Sequence, residues 1–160
     1  MSTNVKNNVG LEITVINPVI EKLGDLLANY QVFYTNLRGL HWNIQGDKFY
    51  ELHGVYEEYY NEFAEKIDEV AERIVILGGV PANRFSDYLK ISTVKEIAGV
   101  SDWKIGVRNV LETLQFLVSK LRELHALAIK SGDHGTVCLA NHAIKSFEKK
   151  IWMLAVYSKE

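Results

Sequence analysis

Apolar side chains return every third or fourth residue through four long stretches of this chain, and only two prolines are present to interrupt them. That period is the period of one helical face, so the sequence is expected to be all-α. The first stretch opens at Asn17-Pro18, which reads as an N-cap followed by proline at the first helical position. It continues through Ile20, Leu23, Leu27, Tyr30, Tyr34, Leu37 and His41 and ends near Asn43 to Gly46. A second runs from Asp47 to Leu77 on Val55, Tyr59, Phe63, Ile67, Val70 and Ile74, and Gly78-Gly79-Val80-Pro81 stops it. At 1.5 Å per residue such a helix is about 46 Å long, a length that suggests a bundle. The third is predicted over 102–130, with Ile105, Val110, Leu114, Leu117, Leu121, Leu124 and Ala128 facing inward. After the break at Ser131-Gly132-Asp133, the fourth is predicted over 135–157 on Val137, Ala140, Ile144, Phe147, Ile151 and Leu154.

Residues 78–101 are too many for a tight turn, and Thr93 with Glu96 has capping-box spacing, so a short helix is expected at 93–99. Short turns make the first and last helix pairs antiparallel hairpins, while the long middle connection lets the second and third helices run parallel. A four-helix bundle with one such crossover has the ferritin-like topology. With 160 residues, 48% of them apolar, one domain over 1–160 is expected, residues 1–16 forming a short N-terminal tail.

Composition excludes some classes of function. A net charge of −2 argues against a surface devoted to nucleic acid, and the first seventeen residues hold a single lysine, Lys6, beside Glu12. Lys149, Lys150 and Lys159 are too few to change this. No stretch approaches the roughly 18 apolar residues of a membrane span, and no signal peptide is visible. The one cysteine, Cys138, reads as a small apolar helical residue; it excludes an internal disulfide and suits a reducing cytoplasm.

The polar residues of interest cluster on the first hairpin. His41 continues the stripe of the first helix; His53 and Glu57 are four apart on the second, as are Asp68 and Glu72. Imidazole and carboxylate together suit iron, zinc or manganese. His53 and Asp68 are separated by about 22 Å along a helix, far beyond a shared metal ion. A second copy of the same helix, antiparallel about a two-fold axis near Glu62 and Phe63, would bring the two pairs together. Taken one at a time, the histidines read more simply as hydrogen-bonded core residues and the carboxylates as solvated ones; only as a set do they point to metal.

Leu40-His41-Trp42-Asn43 with Gly46, and Leu52-His53 twelve residues after the first histidine, resemble the Dps family. So do Asp68-Glu69-Val70-Ala71-Glu72-Arg73 leading into Leu77-Gly78-Gly79-Val80-Pro81, Gly132-Asp133-His134-Gly135-Thr136, and Ile151-Trp152-Met153-Leu154. The resemblance spans residues 18–158. It implies a ferroxidase centre at a two-fold interface, with His41, His53 and Glu57 from one subunit and Asp68 and Glu72 from its partner. It also implies a homododecameric hollow shell that oxidises Fe(II), preferentially with hydrogen peroxide, and stores Fe(III) mineral, protecting against oxidative stress. Trp42 is similar to the family tryptophan that takes up oxidising equivalents, or packs as an ordinary aromatic. Asp133 matches an iron-entry pore position, although Val137-Cys138-Leu139 follows where relatives carry further acids. His125, His134 and His142 are read as ordinary surface or packing residues.

Ferritin and bacterioferritin sites, which use Glu-x-x-His, are a poor match. Arg38, Tyr50, Arg122, Ser131 and Leu139 stand three residues before the five histidines. Two other readings stay open: a DNA-compacting protein, which the missing basic tail does not favour, and zinc in place of iron.

Overall fold

The computed structural model describes residues 5–159. Five helices follow one another: α1 (Ile13–Asn43), α2 (Phe49–Ile76), α3 (Phe85–Ile91), α4 (Trp103–Lys130) and α5 (His134–Tyr157). Ion pairs give their directions. Lys22 meets Glu123 at 2.6 Å and Asp25 meets Lys120 at 3.1 Å, so α1 and α4 are antiparallel. The Tyr157 hydroxyl donates to Glu51 and the Ser146 hydroxyl to Glu62, so α2 and α5 are antiparallel too. With α1–α2 and α4–α5 joined as hairpins, α2 and α4 run parallel, the one-crossover arrangement the connection lengths predict. No helix is long and apolar enough to cross a membrane, among the described residues.

Phe63 lies at the centre, with no exposed surface, and three rings surround it. Tyr30 and Phe33 meet it edge-on at 5.1 and 4.8 Å, and Phe147 stacks on it at 5.2 Å. Such rings bury large apolar area in fixed geometry, which locks α1, α2 and α5 together. Past the α2 terminus the chain turns on two glycines. Gly78 takes φ of 94°, and a Cβ on Gly79 would fall 2.7 Å from a methyl of Ile20.

Two expectations about helix position fail. α1 begins at Ile13, not at Pro18, which lies inside the helix. The cost is small: the missing N–H removes one bond to Thr14, close to the end. The gain is burial of Ile16 and Val19, at 1% and 0% exposure. The short helix also sits at 85–91 rather than 93–99. Two buried asparagines of α1 take the backbone groups that a helix at 93–99 would need. Asn29 Oδ1 accepts from the Thr93 and Val94 amides, both at 3.0 Å, and from the Ser92 hydroxyl. Asn36 donates to the Lys95 carbonyl at 2.8 Å and accepts from the Ile97 amide at 3.1 Å. The capping-box spacing is overruled by tertiary hydrogen bonds.

A charged cluster closes the α2–α5 seam. Glu62 receives Lys150 at 2.5 Å, Lys66 at 3.4 Å and the Ser146 hydroxyl at 2.6 Å. Burial works to raise its carboxyl, but the Lys150 and Ser146 hydrogen bonds and the charges of Lys150 and Lys66 outweigh it and hold it below the ordinary 4.5. A depressed carboxyl stabilises the fold above its unfolded value and loses that contribution as pH falls through the folded one. Glu62→Gln should therefore cost about 1–3 kcal/mol at neutral pH. The gap to the unsubstituted protein should close below pH 4.5, as followed by denaturant melts across pH.

Candidate metal centre

The turn between α1 and α2 folds the end of one helix onto the start of the next, and two histidines meet there. Their rings stack with centroids 3.8 Å apart and planes 19° from parallel. His41 Nδ1 lies 2.8 Å from the His53 carbonyl, and His53 Nδ1 lies 2.9 Å from the His41 carbonyl. A carbonyl oxygen only accepts, so each Nδ1 carries the proton and donates it. With Nδ1 engaged in this way, Nε2 is the atom each imidazole presents to a metal ion. The arrangement has a backbone cause as well. The His41 carbonyl is in the last turn of α1, where no helical amide reaches it, and the His53 ring supplies its donor.

Aromatic rings fix the imidazoles further. Phe49 lies 5.0 Å from the His53 ring, and Tyr60 meets His41 edge-on at 5.3 Å. The Tyr60 hydroxyl donates to Glu57 at 3.5 Å. Burial, then the charge and hydrogen bond of Glu57, push that phenol up, with Arg38 opposing. Neither ring was singled out from the sequence. Phe49 four residues before His53, and Tyr60 three after Glu57, share its helical face, and that spacing was the available signal.

The expected ligands are brought together only in part. His41, buried, and His53, half-buried, meet; Glu57 is one turn beyond His53 and exposed. Asp68 and Glu72 are exposed and remote, because α2 is a single uninterrupted helix and fifteen residues of it extend about 22 Å. Among the described residues, no three His, Cys, Asp or Glu side chains gather closely enough to hold an ion. Trp42 follows His41 but points to solvent at 63% exposure, with the Arg38 guanidinium 4.7 Å from its ring.

Asp133 is engaged within its own subunit. Its side chain has no exposed surface. It caps α5 by accepting from the Thr136 amide at 3.0 Å, takes the Thr136 hydroxyl, and is ion-paired to Arg73. The Gly-Asp-x-Gly-Thr stretch thus marks the start of α5.

Comparison with known proteins decides the family. Residues 20–160 match the ferritin-like domain. The Dps protein of Vibrio cholerae O1, described as a member of the ferritin-like diiron-carboxylate proteins, superposes with a TM-score of 0.94. It is 40% identical and covers 98% of this chain and 99% of its own. The chain belongs to the Dps family. Other relatives agree. The DNA protection during starvation protein of Porphyromonas gingivalis is 46% identical over 93% of this chain and 94% of that protein. DNA protection during starvation protein 2 of Bacillus anthracis is 34% identical over 87% and 95%. The Vibrio cholerae protein thus shares this chain's fold over nearly the whole length of both.

Proposed function

We propose that this Dps chain oxidises Fe(II) with hydrogen peroxide at sites completed by two subunits, and stores the Fe(III) as mineral inside a hollow homododecamer. The observation that carries the reading is the reciprocal histidine pair, which presents two Nε2 lone pairs on a hairpin whose other donors lie at the far end of α2. Its donor set fits the substrate: neutral imidazoles favour the divalent ion, and carboxylates stabilise the trivalent one. His41, His53 and Glu57 of one subunit, with Asp68 and Glu72 supplied by another, hold two Fe(II). One peroxide takes an electron from each iron and two protons from solvent, and leaves as two waters. Storing the product removes both iron and oxidant, which protects a cell under oxidative stress. Stopped-flow oxidation on protein of measured solution mass tests this. Faster Fe(II) consumption with peroxide than with dioxygen is expected, at a stoichiometry of two irons per peroxide; equal or slower reaction with peroxide overturns it.

The two-fold pairing has support from the middle of α2. Glu62 and Phe63, at the midpoint of the donors, turn inward to Lys150 and to the aromatic core. Asn61 and Ala64, both short and exposed, are what α2 presents outward at that level, so two copies can approach closely. Ala64→Trp should push them apart at about 1–3 kcal/mol per ring. Light scattering should show smaller particles, and iron oxidation should slow in parallel. An unchanged mass with unchanged oxidation would exclude this face.

A DNA-protecting role is the second reading, favoured by the names of the relatives. Mobility shifts across salt concentration test it, since phosphate-driven binding weakens steeply as salt rises.

A further inference from the structure

Where the chain between α3 and α4 is tied down by Asn29 and Asn36, a cavity of about 230 Å³ remains between α1 and α4. Pockets for drug-sized ligands span about 300–1,000 Å³, so an occupant here is small. The floor is apolar: Phe33, Leu40 and Val110 are at most 2% exposed. Two side-chain amides line the cavity from opposite helices. The Asp25–Lys120 ion pair sets the antiparallel register, and eleven residues further along each helix stand Asn36 and Asn109. Asn36 is buried; its oxygen is taken by the Ile97 amide and one N–H by the Lys95 carbonyl. Its second N–H has no acceptor among the described residues. The Asn109 side chain makes no hydrogen bond with any described residue. At the mouth, Lys95 and Glu112 carry opposite charges and are exposed, and neither is ion-paired to a described residue.

We propose that this cavity binds a free α-amino acid with an apolar side chain of about leucine's size. Its carboxylate accepts from the unspent N–H groups of Asn36 and Asn109 and lies toward Lys95. Its ammonium meets Glu112, and its side chain covers Phe33, Leu40 and Val110. Other small ligands answer only part of this set. A simple carboxylic acid satisfies the amides but sets its charge against that of Glu112. A simple amine leaves the buried Asn36 donor without an acceptor, which is costly. A zwitterion with an apolar side chain answers every group. None of these residues is a donor of the proposed iron centre, so the site stands or falls independently of iron oxidation.

Ligand-observed NMR titration of the assembled protein tests this, with L-leucine as the probe. Two analogues dissect the head group: 4-methylpentanoate lacks the ammonium, and 3-methylbutylamine lacks the carboxylate. Leucine is expected to bind saturably. Losing the carboxylate weakens binding by about 10-fold or more, the worth of one hydrogen bond to a charged group. Losing the ammonium costs less, about 2–5-fold, because Glu112 is exposed. Asn109→Leu keeps the side-chain bulk, removes the amide and weakens leucine by about 10-fold or more. Glu112→Gln abolishes the preference for leucine over 4-methylpentanoate. The absence of saturable leucine binding overturns the proposal, and so does 3-methylbutylamine binding as tightly as leucine. An Asn109→Leu variant that binds leucine as the parent does, or a Glu112→Gln variant that keeps the preference, overturns it too. The analogue comparison needs no substitution, so it decides even where Asn109→Leu perturbs α4.

Discussion

His41→Gly combined with His53→Gly should lower peroxide-dependent Fe(II) oxidation by more than about 100-fold, because outer-sphere changes alone cost 10–100-fold at metal sites and here two ligands go. The effect should exceed that of either single change for a structural reason. Each imidazole holds its partner's carbonyl, and that bond fixes which nitrogen is free. Removing either ring takes away one Nε2 donor and the stacking partner of the other ring, while both backbone carbonyls stay in place as acceptors. Each single variant should therefore be slowed less than the double one, and the two effects should not simply add, because the rings are in contact. The fold should survive. Glycine costs about 1 kcal/mol in a helix interior, and both positions lie within a turn or so of helix ends. Circular dichroism should stay helical while stopped-flow amplitude at early times disappears. Parental kinetics in the double variant would end the assignment of this hairpin as the iron site.

The sequence was readable wherever the physics is periodic and local. Apolar spacing located α2, α4 and α5 to within about two residues, because the burial that drives them repeats along a single face. The one-crossover topology followed from connection lengths alone. What escaped was decided across the fold. Pro18 looked like a helix start, but burial of Ile16 and Val19 carries α1 past it. Thr93 and Glu96 looked like a capping box, but Asn29 and Asn36, sixty residues away in the chain, claim that backbone. The same holds at the site. Spacing showed that His53 and Asp68 cannot share an ion within one chain, yet nothing in it foretold that His41 and His53 exchange hydrogen bonds through each other's carbonyls. Nor did spacing foretell the partner of Asp133: Arg73 is brought to it by the antiparallel packing of α2 on α5.

That pairing yields the largest expected loss of stability. Asp133→Ala should cost about 3–5 kcal/mol, the usual penalty for stranding one member of a buried ion pair. Two losses combine. The α5 amide of Thr136 loses its cap, worth about 1 kcal/mol. The Arg73 side chain, 17% exposed, keeps its charge with no carboxylate beside it. Nor can the guanidinium easily withdraw, since it packs so closely over Gly135 that a Cβ there would fall 2.7 Å from it. At about 2–4 °C per kcal/mol for a chain of this size, thermal melting should fall by about 6–20 °C. Arg73→Met with Asp133→Ala should be less destabilised than the sum of its parts, because removing both charges leaves neither one buried alone. Asp133→Asn separates structure from traffic. It keeps a capping oxygen and loses the charge, so it should melt lower than the parent while iron enters at the parental rate. Slower iron entry at an unchanged melting temperature would instead assign Asp133 to the pore.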